Sequence, residues 1–346
     1  MSRPTLYLAV SLDVEEEGLF GGQYARRGYS TSNTASLGRL DPLCERGVRP
    51  TLFCAHSVLA DAPSCHVLAG LRDRYGAEIG AHLHHWNTPP LTLDGPGADA
   101  ALADNASSVP AAAVPEALMA AKLESLMAAG RDFQSAPLTS FRMGRWDMHR
   151  NLWPLLAQAG IKVDASVRPL HCGATPKAGP DHFDAPCNPY WIAVEKKRIF
   201  EVPLSVTPLV QSLPRLVGRV APGLRSGFKN WGALSLLPVY HPLWAMQAVT
   251  RLFVARGGRV LSLTWHSSEM MPGGAPHLPD ASAVDKLMQK ILVWTDWLSS
   301  RWDVRSLTMD QLRETLGPQA PDSTELLRPT RNAECGDWAY TPQEAP

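Results

Sequence analysis

Short apolar runs ending in charged or imidazole-bearing residues alternate along this chain with segments of helical period. Residues 5–12 are apolar and β-favouring and end in Asp13-Val14-Glu15, which predicts a buried strand carrying carboxylates at its C-terminal end. Residues 36–45 predict a helix stopped at Gly47, 50–54 a second strand, 67–75 a helix, and 78–82 a third strand. That strand runs into a loop bearing His84, His85, Trp86 and the turn-forming Pro89-Pro90. An Ala/Ser/Asp/Pro stretch, 98–115, predicts a surface excursion, and 115–129 a strong helix closed by Gly130. Further strands are expected at 139–142, 161–164, 199–204, 259–265 and 303–305. Helices are expected at 151–159, 244–255, 284–298 and 309–316, and residues 171–189 read as loop.

Six or seven strand–helix steps in series predict an α/β fold around a parallel sheet, and so long a run favours a closed barrel over an open doubly wound sheet. In either topology ligands bind at the C-terminal ends of the strands. The unusual residues gather there: Asp13 and Glu15, His82 to His85, Arg142 and Arg145, Asp164, His266. The expected organisation is one barrel over 1–317, with surface insertions near 98–115 and 205–240, followed by a polar, Pro-rich tail over 318–346.

Composition narrows the function. Lys plus Arg and Asp plus Glu both number 33, so the 346-residue chain has no net charge and no basic field for a polyanion; nucleic acid is not an expected partner. Apolar residues make up 45%, enough for a sizeable core. The 30 Pro and 11 Trp suit irregular loops and aromatic pocket walls. Six Cys are scattered without a C-x-x-C pair, so neither a disulfide framework nor a thiolate zinc site is expected. The N-terminal residues reach Asp13 before an apolar h-region is complete, and the most apolar stretch, 231–254, is interrupted by Pro238, His241, Pro242, Gln247 and Arg251. Neither a secretion signal nor a spanning helix is expected, and the reading is cytoplasmic.

Asp13 and Glu15, two apart on a strand, share one face and repel. They form either a solvated acidic turn with Glu16 and Glu17 or a pair held by a metal and an arginine. His82-Leu83-His84-His85 places three imidazoles at a strand end, the usual nitrogen donors for a catalytic zinc completed by one carboxylate; spacing alone does not choose between His84 and His85. Arg142 and Arg145 bring two guanidiniums to the same rim, as a carboxylate clamp or as surface ion pairs. His266 ends an apolar strand and could serve as acid or base, and Glu269 either supports it or caps the following helix. His56, His66, His149, His182 and His241 have no comparable setting and read as structural.

Five segments at strand ends, in order, resemble the NodB-homology polysaccharide deacetylases (carbohydrate esterase family four) and within them the WalW-type subgroup. They are Ser11-Leu12-Asp13-Val14-Glu15, residues 78–90 around His82, Phe141-Arg142-Met143-Gly144-Arg145-Trp146, Val163-Asp164-Ala165-Ser166, and Leu263-Thr264-Trp265-His266-Ser267-Ser268-Glu269. The resemblance covers residues 5–316. It implies the distorted (β/α)7 barrel of the NodB-homology, or glycoside hydrolase-deacetylase, type and metal-dependent amide hydrolysis. Carried over residue by residue, Asp13 resembles the general base, Glu15 and His82 metal ligands, Arg142 the arginine that holds the base, Asp164 the group that tunes the acid, and His266 the general acid. Arg145 would help to aim Asp13, with a backbone N–H near Arg145 and Trp146 facing the oxyanion. Two departures stand out: Val14 separates acidic residues that the family usually has adjacent, and Trp86 occupies the usual place of the second histidine. The subgroup resembles His-Leu-His-Pro-Trp-Asn-Thr-Pro-Pro, which points to His84 as the second histidine ligand.

The implied activity is hydrolysis of the N-acetyl amide of an amino sugar in an intracellular glycan or surface-polysaccharide precursor, with Zn²⁺ or another divalent cation such as Co²⁺, releasing acetate. Two alternatives stand beside it: hydrolysis of a formamide or cyclic amide, and a metal-free glycan-binding relic, suggested by the two departures and the many Trp. The stretch 215–251, with Arg215, Arg219, Arg225, Lys229, Trp231 and Trp244 among many Leu, reads as an insertion packed on the barrel or as a segment in peripheral contact with a membrane surface.

Overall fold

The structure, a computed structural model, describes residues 3–104, 110–173 and 180–320. The chain opens with strand β1 (Thr5–Val14) and a 3₁₀ segment, Ser32–Leu40, running into one α-turn, Asp41–Cys44, where a single helix was expected. Then come β2 (Pro50–Ala55), α1 (Ala62–Tyr75), β3 (Glu78–Leu83), α2 (Glu116–Gln134), β4 (Ser140–Met143), α3 (Leu152–Gln158) and β5 (Val163–Asp164). Helix α1 begins one turn earlier than the apolar period suggests, because the Asp61 side chain accepts from the Ser64 N–H and caps it.

After β5 the regular alternation breaks. Strand β6 (Tyr190–Val194) pairs antiparallel with β7 (Lys197–Glu201), a hairpin of which only the second strand, at 199–204, was expected. Its turn, Glu195-Lys196, has neither Gly nor Asn, although Glu195 has φ +53°. A short ribbon of β8 (Val206–Pro208) and β9 (Ala233–Ser235) brackets helix α4 (Leu213–Val220), and α5 (Leu243–Ala255) packs on that ribbon. The chain closes with β10 (Val260–His266), α6 (Ala281–Ser299), β11 (Asp303–Ser306) and α7 (Met309–Leu316).

The main sheet has nine strands in the order β10-β1-β2-β3-β4-β5-β7-β6, with β11 also on β1, and every pairing but β6–β7 is parallel. This is the expected α/β class. The continuous ladder does not close, although the segment following β7 touches β10, where the Ser205 N–H donates to the Ser262 carbonyl at 3.3 Å.

The strands' period of two sorts the side chains into layers. On β1, Leu6, Leu8, Val10, Leu12 and Val14 pack in the outer core, and burial of each such side chain contributes roughly 1.5–3 kcal/mol. The opposite face carries Ala9, then Ser11, Asp13 and Glu15. On β10, Leu261, Leu263 and Trp265 lie in the outer core, while Val260, Ser262, Thr264 and His266 face the other way. The inner face is apolar at the bottom, where Ala9 meets Phe53, Val163, Phe200, Val260 and Met309, and becomes polar and then charged towards the strand C-termini. At Gly80 a Cβ would stand 2.5 Å from Ser140 Oγ and 2.7 Å from the Phe53 ring, so the packed interior requires glycine there.

Cys44, Cys54, Cys65, Cys172 and Cys187 are free thiols; Cys335 lies outside the described residues. At the junction with the expected tail, Gly317–Gln319 forms a 3₁₀ turn whose Gly317 carbonyl accepts from Trp191 Nε1 at 2.8 Å. Residues 321–346, and 105–109 of the expected 98–115 excursion, lie outside the described residues.

Candidate active site

Strand register places the candidate residues around one another. Asp13 on β1 stands beside His266 on β10, and His82 on β3 beside Arg142 on β4. Period-two spacing then turns Glu15 and His84 to the same inner face as Asp13 and His82. Glu15 Oε2 lies 3.4 Å from His82 Nε2 and 3.2 Å from His84 Nε2, and the three buried side chains present donor atoms all within 4.8 Å of one another.

The donor set fits a divalent cation. His82 Nδ1–H donates to the Arg142 carbonyl at 3.0 Å, which leaves Nε2 buried, outside hydrogen-bonding geometry and turned towards Glu15. Donors at about 2.0–2.1 Å from a tetrahedral zinc stand roughly 3.3–3.4 Å apart, close to the two nitrogen–oxygen separations here. His84 Nδ1–H donates to Glu16 Oε1 at 2.9 Å, the arrangement of carboxylate behind imidazole that fixes a ligand's tautomer. Burial opposes a charged His84, but the Glu16 and Glu15 carboxylates outweigh it and raise its pKa to about 10. Glu15 is likewise held far below the usual carboxylate range: burial pushes it up, and His266, His82 and His84 more than reverse that.

Glu16 was read as part of an acidic turn. It is instead buried, accepting from Ser57 Oγ at 2.9 Å and from Asn87 Nδ2 as well as from His84. Its signal in the sequence was masked by the run Glu15-Glu16-Glu17, which looks like solvated surface. Asn33 Nδ2 donates to the Glu15 carbonyl at 2.9 Å and to Ser268 Oγ at 2.8 Å, while the Glu15 N–H donates to Ser267 Oγ at 3.2 Å, so the backbone carrying Glu15 is fixed from two sides. His85 is not one of the three grouped donors; its ring makes a T-shaped contact with that of Trp86 at 5.2 Å. Trp86 stacks on His84 at 4.1 Å. Gly144 passes directly over His84, where a Cβ would fall 2.6 Å from the imidazole Cδ2 and 2.8 Å from the Leu83 carbonyl.

Beside the donor group sits Asp13. Its Oδ1 accepts from Arg142 Nη1 at 2.6 Å, and its Oδ2 faces His266 Nε2 at 3.8 Å, too far for a hydrogen bond. Arg142 is itself buried and satisfied: it donates to the Ala165 carbonyl at 3.0 Å, Thr264 Oγ1 at 2.8 Å and Ser11 Oγ at 2.8 Å, between the rings of Phe53 and Trp146. Burial would raise the Asp13 pKa, but Arg142, with His82 and His266, lowers it overall.

Two expected roles meet a different geometry. Arg145 makes no hydrogen bond or ion pair with Asp13; it is exposed, its guanidinium lying over the Tyr24 ring at 5.5 Å, because φ +59° at Arg145 and again at Trp146 turns the chain outward. Asp164 does not reach His266 either. Its oxygens accept from Trp153 Nε1 at 2.8 Å and from the Ser166 N–H at 3.1 Å, beside Glu201, and burial raises both carboxyls. The group that holds His266 is Glu269, whose Oε2 accepts from His266 Nδ1–H at 2.8 Å and from the His266 N–H at 2.9 Å. Its Oε1 accepts from His277 Nε2–H at 3.1 Å. Glu269 thus caps the turn and supports the imidazole at once. Burial disfavours the imidazolium, but Glu269, Glu15 and Asp13 raise His266 to about 10.

No protein-family model matches the sequence, and no curated protein matches it. Solved structures share its fold. A chain assigned as a polysaccharide deacetylase from Mycobacterium smegmatis is 17% identical over 92% of each chain, with a TM-score of 0.53. A chain assigned as a glycoside hydrolase/deacetylase from Parabacteroides distasonis is 13% identical over 94% of this chain and 73% of its own, with a TM-score of 0.56. The 4-alpha-glucanotransferase of Thermococcus litoralis is 12% identical over 93% of this chain and 42% of its own, with a TM-score of 0.54. At such identities the likeness is one of fold, which this chain shares with proteins of differing activity.

Proposed function

We propose that this protein is a metal-dependent amide hydrolase that removes the acetyl group from an N-acetyl amino sugar in an intracellular glycan or surface-polysaccharide precursor, akin to the WalW-type deacetylases. The observation that carries this reading is the convergence of Glu15, His82 and His84 beside a base–acid pair, Asp13 and His266, drawn from segments far apart in the chain. Glu15, His82 and His84 would hold the cation, Zn²⁺ or Co²⁺. Bound there, a divalent cation supplies Lewis acidity, polarising a carbonyl oxygen and making water more acidic.

The chain's own residues account for the proton movements. Asp13 Oδ2, freed for the task because Oδ1 is engaged by Arg142, takes a proton from the attacking water as its oxygen bonds to the acyl carbon. His266, held as imidazolium by Glu269, gives its Nε2 proton to the amide nitrogen as the carbon–nitrogen bond breaks, so acetate and a free amine leave.

Purified protein supplied with zinc or cobalt is expected to release acetate from oligosaccharides containing N-acetylglucosamine, and His82→Ala to abolish both turnover and tight metal uptake. Because Glu16 and Glu15 raise the His84 pKa to about 10, zinc binding near neutral pH should displace a proton to the buffer, measurable by calorimetry in buffers of different ionisation enthalpy. Formate in place of acetate would transfer the assignment to another amide. Absence of both hydrolysis and metal uptake would leave a glycan-binding relic.

Glu269 is a positioning residue in this scheme. In Glu269→Gln the alkaline limb of the pH profile of kcat/KM should move down by about 1–3 units, because the carboxylate that keeps His266 protonated is gone. An unmoved limb would show that His266 is not the acid.

A further inference from the structure

We propose that the lobe between β8 and the start of α5 is a docking surface for an anionic lipid bilayer, placing the mouth of the candidate site at the membrane. The inference stands whether or not the site hydrolyses an amide. It starts from two asymmetries that coincide. Eight of the ten strongly exposed large apolar side chains among the described residues lie between Leu209 and Trp244. The chain from Val202 to Ser268, which contains the lobe, has no Asp or Glu but has seven Lys and Arg, four of them (Arg215, Arg219, Arg225 and Lys229) within the lobe itself, in a protein of zero net charge.

Helix α4 shows the departure most clearly. Pro214 and Val217 face inward, while Leu216 and Val220, four residues apart on one stripe, are 56% and 73% exposed. An ordinary surface helix would carry polar residues on that stripe. Leu224, Trp231, Tyr240 and Trp244 extend the apolar exposure along the lobe. The exposed indole and phenol rings suit the headgroup level of a bilayer, where one end of the side chain is apolar and the other wet.

Charge selects the occupant. A second copy of this lobe would bring like charge against like charge. A nucleic acid would leave the apolar side chains against phosphate and water. An anionic bilayer accepts the aliphatic and aromatic side chains into its headgroup region and attracts the cations. Some of those cations have structural duties: Arg225 pairs with Asp181 and Asp184, and Arg256 donates to Thr207 Oγ1. They anchor the lobe, whose own residues carry only positive formal charge. No helix among the described residues is long and apolar enough to cross a membrane, so the contact is peripheral.

The lobe also adjoins the candidate site. The Tyr240 ring lies 5.9 Å from that of His277, which donates to the same Glu269 that holds His266. A substrate tethered to lipid would therefore meet the site at the surface on which the protein docks.

The test is co-sedimentation of the full chain with phosphatidylcholine vesicles with and without phosphatidylglycerol. Binding is expected only to the anionic vesicles, weakening as salt is raised, and Val220→Asp combined with Trp244→Asp should lower partitioning by about tenfold or more while the thermal melt is unchanged. Both side chains are largely exposed, so the fold does not depend on them. No sedimentation with anionic vesicles, or equal sedimentation of the double variant, would overturn the proposal. So would a dimer in light scattering that the same two substitutions dissociate, since the lobe would then be covered by a second copy.

Discussion

Asp13→Asn is expected to lower kcat for acetate release by about 10²–10⁴-fold, the usual contribution of a positioned general base, with little change in stability. The substitution nearly preserves shape. An amide oxygen can still accept from Arg142 Nη1, and the amide nitrogen would take the place of Oδ2, 3.8 Å from His266 Nε2. What is lost is the carboxylate lone pair that faces the reacting water. Asp13 is not among the three donors grouped for a cation, so zinc uptake should be retained, which separates loss of the base from loss of the metal. Because Arg142 holds the Asp13 pKa below its ordinary value against the effect of burial, the wild-type acid limb should lie well below neutral pH. Turnover by Asp13→Asn close to wild type would remove Asp13 from this role.

Arg142→Ala should cost about 3–5 kcal/mol of stability, the range for removing one partner of a buried ion pair, and should be read by urea denaturation. The loss exceeds that of one contact. Asp13 would be left buried without its counter-charge, and the hydrogen-bond acceptors Ser11 Oγ, Thr264 Oγ1 and the Ala165 carbonyl would lose their donor. The pH dependence changes sign. In the wild type a carboxylate with a depressed native pKa adds stability above its unfolded value, and that stability is lost as pH falls through the native pKa. Without Arg142, burial dominates and the native pKa rises, so acidification neutralises the stranded charge and stabilises the variant. Adding Asp13→Ala to Arg142→Ala should recover part of the loss; strictly additive costs would show that the two side chains are not coupled.

Part of the site could be read directly from the chain because strand geometry is local. Asp13 with Glu15, and His82 with His84, are each two residues apart, so a strand must turn each pair to one face whatever the rest of the protein does. The apolar runs before them marked the strands, and the polar ends marked the rim. Glu16 and Glu269 show the limit. Glu16 looked like ordinary surface, and for Glu269 the choice between supporting His266 and capping stayed open; each is a buried partner of a histidine brought to it by another segment, or by a turn whose shape no period encodes. Arg145 shows the converse: its place next to Arg142 suggested a shared task, but two consecutive residues with positive φ send it to Tyr24 instead. The β6–β7 hairpin was obscure because its turn lacks the residues that announce one.

Periodicity and residue chemistry were thus enough for most of the alternation of strands and helices up to β5, for the face on which the strand-end polar residues stand, and for most of the side chains able to bind a cation or move a proton. Those follow from backbone periodicity and side-chain chemistry, which act over a few residues. That Glu15 lies against His82 and His84, that Arg142 spans the interior to Asp13, and that Glu269 rather than Asp164 holds His266 emerged with the assembled sheet. These pairings depend on the order and register of parallel strands separated by long crossovers, and register is fixed by packing between segments distant in the chain.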